Sequence, residues 1–100
     1  MNFTENLYTI TQSSQQEKQI RLCDESHVSF QAHFPGNPIL AGFLQVDIAQ
    51  ELFNIQIKKI KRVKFLQLVK PSVILIYRIS NHKITIEDQH NNKVSEIVYE

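Results

Sequence analysis

Apolar and polar positions alternate over residues 3–11 (FTENLYTIT) and again over 17–23 (EKQIRLC), with the polar run Gln12-Ser13-Ser14-Gln15-Gln16 between them. A period of two marks a half-buried strand, so these segments predict a hairpin. Residues 28–32 (VSFQA) predict a short extended piece. From residue 42 the period changes. At about 100° per residue, the segment 42–55 (GFLQVDIAQELFNI) gathers Leu44, Ile55, Ile48, Leu52, Ala49, Phe53 and Val46 on one broad arc. Gln50, Asn54, Asp47 and Glu51 share the opposite arc with Phe43. This predicts an amphipathic helix. Gln45 falls inside the apolar arc, where a buried amide requires hydrogen-bond partners. Strands are predicted over 59–69, 73–79, 83–87 and 93–99, with turns at Ser80-Asn81-His82 and at residues 88–92. The run 73–79 (VILIYRI) is almost continuously apolar and reads as a central strand covered on both faces. Strands, one apolar helix, then more strands make an α+β pattern: an antiparallel sheet packed on one long helix.

At 100 residues the chain is expected to form a single domain, residues 1–100. An apolar share of 42% supports only a small core at this length, so oligomerisation is an expected source of stability. Eleven basic against ten acidic residues leave a net charge of +1, which argues against nucleic acid as a partner. The one cysteine, Cys23, allows neither an intrachain disulfide nor a cysteine-based zinc cluster and suits a reducing compartment. No apolar run approaches the roughly 18–20 residues of a membrane span. The N-terminal residues lack the basic and apolar regions of a signal peptide. The expectation is a cytoplasmic protein.

Both glycines, Gly36 and Gly42, and two of the three prolines, Pro35 and Pro38, fall between residues 35 and 42. Special backbone is thus concentrated where strand passes into helix. Pro38 keeps Asn37 out of helical dihedrals. Gly42 stands at the predicted helix start, where the absence of a side chain lets another group approach the backbone. The first N–H groups of a helix have no internal acceptor and carry the positive end of its dipole, so they suit an oxyanion or a polarised carbonyl. Asp47 follows five residues into the helix. One short stretch therefore offers an imidazole (His33), a helix N-terminus and a carboxyl group.

The run HFPGNPILAGFLQVDIAQ is similar to the signature of the hot-dog-fold 3-hydroxyacyl-acyl-carrier-protein dehydratases. The matching residues are His33, Phe34, Pro35, Gly36, Pro38, Gly42 and Asp47, with fourteen positions from His33 to Asp47. Gln50 resembles a common helix glutamine of the family, and Lys64-Phe65 and Pro71 resemble its downstream strand. The LQVD pairing of Gln45 with Asp47 looks like the smaller dehydratase-like proteins of aryl-polyene and related lipid pathways. Ala41 stands where the family usually has proline, and Asp47 where the larger branch has glutamate. The resemblance implies a hot-dog fold, an antiparallel sheet wrapped around the helix, and dehydration of a carrier-bound 3-hydroxyacyl thioester without metal or other cofactor. By resemblance, His33 would take the proton beside the thioester carbonyl. Asp47 would protonate the departing hydroxyl. The N–H of Gly42, with Phe43, would bind the thioester oxygen. Phe34, Pro35, Gly36 and Gln50 would contact substrate. The family site is shared across a homodimer, and acyl carrier protein is the implied partner.

The basic cluster Lys58, Lys59, Lys61, Arg62 and Lys64 reads either as a solvated strand edge or as a docking surface for that acidic carrier. Two other readings of the chain stay open: a non-catalytic acyl-thioester or carrier-binding subunit, and a hot-dog thioesterase. His27, His82 and His90 are expected on the surface, and Cys23 as a small core or edge residue.

Overall fold

The computed structural model describes residues 2–32 and 36–100. Strand β1 (Tyr8–Ser13) and strand β2 (Glu17–Leu22) form the predicted hairpin. Helix α1 (Val28–Gln31) and helix α2 (Gly42–Phe53) follow. Then come β3 (Ile60–Phe65), β4 (Ile74–Ser80), β5 (Lys83–Asp88) and β6 (Lys93–Tyr99). The strands make one six-stranded antiparallel sheet in the order β1-β2-β4-β5-β6-β3. The chain leaves the hairpin edge after β2, runs through both helices, and lays β3 at the far edge against β6. It then returns to the centre with β4.

Inward residues of β2, β4, β5 and β6 (Ile20, Leu22, Leu75, Tyr77, Ile84, Ile86 and Ile97) form one core with Leu44, Ile48, Ala49 and Leu52 of α2. Burying a side chain of this size contributes about 1.5–3 kcal/mol. The helical arc read from the sequence is therefore the face that meets the sheet. Gln45 is 2% exposed within it. Its amide oxygen accepts from the buried Ser95 hydroxyl, and its backbone carbonyl accepts from Tyr77 Oη at 3.1 Å. The misplaced amide is thus a polar bridge from helix to sheet.

Several boundaries differ from the expectation. β1 starts at Tyr8, not Phe3, because the Asn2 side chain accepts from the Thr4 N–H and Asn6 turns at a φ of 60°. Residues 28–31 are helical rather than extended: His27 caps them, its Nδ1 accepting from the Ser29 N–H at 2.9 Å. Its Nε2 lies 2.7 Å from the Glu5 carbonyl, so His27 is a half-buried structural group and not a surface one. α2 ends at Phe53, two residues early, because Asn54 adopts the left-handed conformation and its N–H returns to the Gln50 and Glu51 carbonyls. The long central helix is thus 12 residues. β4 alternates between buried Leu75 and Tyr77 and half-exposed Ile74 and Ile76, so it is covered on one face rather than two. β3 covers only the first half of the predicted 59–69 strand and is exposed at every position. Among the described residues no helix is long and apolar enough to cross a membrane.

Candidate functional site

α2 begins at Gly42, as the sequence predicts. Ala41 precedes it in an extended conformation and offers no capping side chain; its carbonyl accepts from the Leu44 and Gln45 N–H groups at 3.0 and 3.3 Å. The Gly42 N–H therefore stands at the positive end of the helix, and the Ala41 side chain offers it no acceptor. A Cβ on Gly42 would lie 2.6 Å from Cζ and 2.7 Å from Cε2 of Phe65. The group that approaches this backbone is the Phe65 ring, reaching across from β3. Gly36 is a different case: φ is +79° and nothing lies within 4 Å of a built Cβ, so backbone conformation, not space, calls for glycine. Phe43 is 52% exposed beside the helix start.

Five residues on, Asp47 projects half-buried from α2 into a cavity of about 440 Å³. Gln50 and Glu51 form the same wall, and Asn2, Phe3 and Thr4 form the facing one. Burial first, and the charge of Glu51 second, push the Asp47 carboxyl above its ordinary value. Gln50 turns its amide toward both neighbours: Oε1 accepts from the Ile57 N–H at 2.8 Å, and Nε2 lies 3.5 Å from Asp47 Oδ1. The first of these bonds anchors the chain where it leaves the helix. Glu51, not singled out from the sequence, accepts from Tyr8 Oη at 2.7 Å and from the Thr4 hydroxyl. No short-range signal marks this cluster, because Thr4 and Tyr8 are 47 and 43 positions from Glu51.

The predicted His33, Phe34 and Pro35 lie outside the described residues. The basic cluster runs from the exit of α2 along β3 and is exposed throughout. Lys59 pairs with Glu100 at 3.2 Å and Arg62 with Glu96 at 3.8 Å. Among the described residues, Lys58, Lys61 and Lys64 have no carboxylate partner. A second cavity, about 450 Å³, lies under residues 67–73 and holds none of the predicted site residues. No cluster of three His, Cys, Asp or Glu suited to a metal occurs among the described residues.

An antiparallel sheet folded around a helix with an acid on its polar face defines a hot-dog protein. Within that class the chain belongs to the ApeI-like family, described as ApeI dehydratase, whose profile it matches over residues 10–97. It is similar to a chain of the solved dehydratase heterocomplex ApeI:P from Xenorhabdus doucetiae. The two are 27% identical, with 89% of each chain covered and a TM-score of 0.62. An uncharacterized protein from Erwinia carotovora subsp. atroseptica shares the fold, with 21% identity, a TM-score of 0.51, and 91% of this chain and 90% of that one covered. No curated protein matches the sequence.

Proposed function

We propose that the chain converts a 3-hydroxyacyl thioester carried on acyl carrier protein to the trans-2-enoyl thioester, as a homodimer. The observation that carries this reading is the placement of Asp47. It sits fourteen residues after His33, on the helix that begins at Gly42, with its carboxyl pushed toward the protonated form. In the proposed step the His33 imidazole removes a proton from C2, and negative charge passes to the thioester oxygen. The Gly42 N–H, with that of Phe43, holds this oxygen, and fixed donors do so without reorganisation. The C3–O bond then breaks, Asp47 gives its proton to the departing hydroxyl, and water leaves. Histidine ends protonated and aspartate ionised, so one proton returns from the first to the second before the next turnover. Acid and base thus need opposite protonation states near neutrality, which the raised Asp47 carboxyl favours. No cofactor is required.

The resemblance implies that His33 and Asp47 of one site come from different subunits. The exposed β3 edge, with Ile60, Val63 and Phe65 between 37% and 47% exposed, offers a surface for the second copy. Lys58, Lys61 and Lys64, with Lys59 and Arg62, would receive the acidic carrier. A second reading is favoured by one finding: the similar ApeI:P structure is a heterocomplex. On that reading the chain is a subunit that completes its site with a different hot-dog protein.

Carrier protein loaded with 3-hydroxyacyl chains of several lengths, incubated with the chain and read by mass spectrometry, separates these outcomes. Loss of water with wild type, abolished by His33→Ala and Asp47→Asn, supports the proposed enzyme. Release of free thiol identifies a thioesterase. Carrier binding without mass change assigns the chain to the partner-dependent reading.

A further inference from the structure

β3 lies at the edge of the sheet with β6 as its neighbour, and that pairing fixes which way its side chains face. Phe65 stands opposite Ser95, whose hydroxyl meets Gln45 of α2, and Val63 stands opposite the core residue Ile97. Side chains alternate along a strand. Val63 and Phe65 therefore take the inner face, and Arg62 and Lys64, opposite Val98 and Glu96, take the outer one. The chain has no acidic residue between Glu51 and Glu87, while Lys58, Lys59, Lys61, Arg62, Lys64 and Lys70 all fall in that stretch. Glu96 is the carboxylate that register sets beside Lys64, and it already serves Lys93, Lys83 and Arg62. When two copies pair antiparallel through β3 about a two-fold axis normal to the sheet, burying Val63 and Phe65 in the seam keeps inner face against inner face. Outer residues then meet outer residues. An axis at Arg62 sets Arg62 against its own copy, an axis at Val63 sets Arg62 against Lys64 on both sides, and an axis at Lys64 sets Lys64 against its own copy. Each of these registers places like charges directly opposite, with Cβ atoms about 4.5–5.5 Å apart, where they oppose pairing.

We propose that self-pairing through β3 is anion-dependent: a multivalent oxyanion held between the Arg62 and Lys64 side chains of two copies closes the seam. This rests on the reading of the protein as a homodimer joined at β3, and it adds a ligand and a means of control to that reading. Guanidinium and ammonium groups both donate charge-assisted hydrogen bonds to phosphate-type oxygens. One copy supplies only half of the donors, so the site forms as the seam closes. Anion binding and dimerisation then strengthen one another.

Sedimentation equilibrium of the full chain, in inorganic phosphate and in chloride at matched low ionic strength, reads this directly and needs no turnover. The dimer Kd is expected to be about tenfold lower in phosphate, the size of two like-charge contacts at this spacing in water. Arg62→Gln with Lys64→Gln removes the facing charges. That variant is expected to dimerise in chloride as tightly as wild type does in phosphate, and to lose the response to phosphate. Lys64→Gln alone, which disturbs no ion pair, shows a smaller change of the same sign and keeps the question answerable if the double variant fails to fold. A copy carrying Arg62→Glu with Lys64→Glu is expected to pair with wild type in chloride, opposite charges replacing the anion. Equal Kd values in the two salts, in a dimer that Val63→Lys still disrupts, would overturn the proposal and keep the β3 homodimer. A phosphate response that persists in the double variant would overturn it by placing the anion elsewhere. A dimer indifferent to Val63→Lys, or a wild type and double variant monomeric in both salts, would defeat the β3 homodimer reading and the proposal with it.

Discussion

Gly42 is glycine because the Phe65 ring occupies the space a side chain would need. That contact joins the start of α2 to the edge strand and gives the helix N-terminus an aromatic wall. The same helix carries a polar residue into the core for an equally local reason. Gln45 is tolerated there because Ser95 and Tyr77 meet its amide oxygen and its carbonyl. Ser95→Ala removes the donor and strands the Gln45 oxygen, at an expected cost of about 1–3 kcal/mol in urea unfolding. Replacing both partners, Ser95→Ala with Gln45→Leu, is expected to recover much of that loss, since an apolar pair leaves nothing unsatisfied. Asp47 stood out in the sequence because it lies fourteen positions from His33. Glu51 did not, since the hydroxyls that hold it lie more than forty positions away.

At the scale of elements, the hairpin, α2 and the strands from β3 to β6 were all legible from periodicity. Three of the boundary misses share a cause: a side chain or a left-handed residue redirects the backbone where hydrophobic pattern is silent. Asn2 holds residues 2–4 out of β1, His27 nucleates α1, and Asn54 closes α2. On the outer face of the sheet, Glu96 of β6 gathers Lys93 at 3.1 Å, Lys83 at 3.3 Å and Arg62 at 3.8 Å, tying β3, β5 and β6 together. Hydrogen bonds from Lys93 and Lys83 hold its carboxyl below the ordinary value. A carboxyl lowered by folding stabilises the native state above its unfolded pKa of about 4.3, and that stability is lost as pH falls through the folded value. Thermal unfolding followed from pH 6 to pH 3 is therefore expected to show a shallower acid decline in Glu96→Gln than in wild type. Equal declines would mean the network contributes nothing beyond surface pairing.

For the whole molecule the question is what covers the β3 edge. Phe43, Val63, Phe65, Leu66 and Leu68 are all 37–68% exposed, a large apolar allowance for a chain of this size. If β3 pairs with a second copy, as proposed, Val63→Lys places a charge in that seam. Sedimentation equilibrium is then expected to change from dimer to monomer, while a dimer that persists would put the interface elsewhere. The amino-acid sequence by itself determined the class of fold and the helix face that enters the core, and it pointed to His33 and Asp47 as the proposed pair. Each of these depends on periodicity or on spacing within about fifteen residues. Tertiary structure alone decided which ring stands over Gly42, how Gln45 is satisfied, and which hydroxyls grip Glu51. Those depend on contacts between distant segments, which form only when β1, α2, β3 and β6 are brought together around one core.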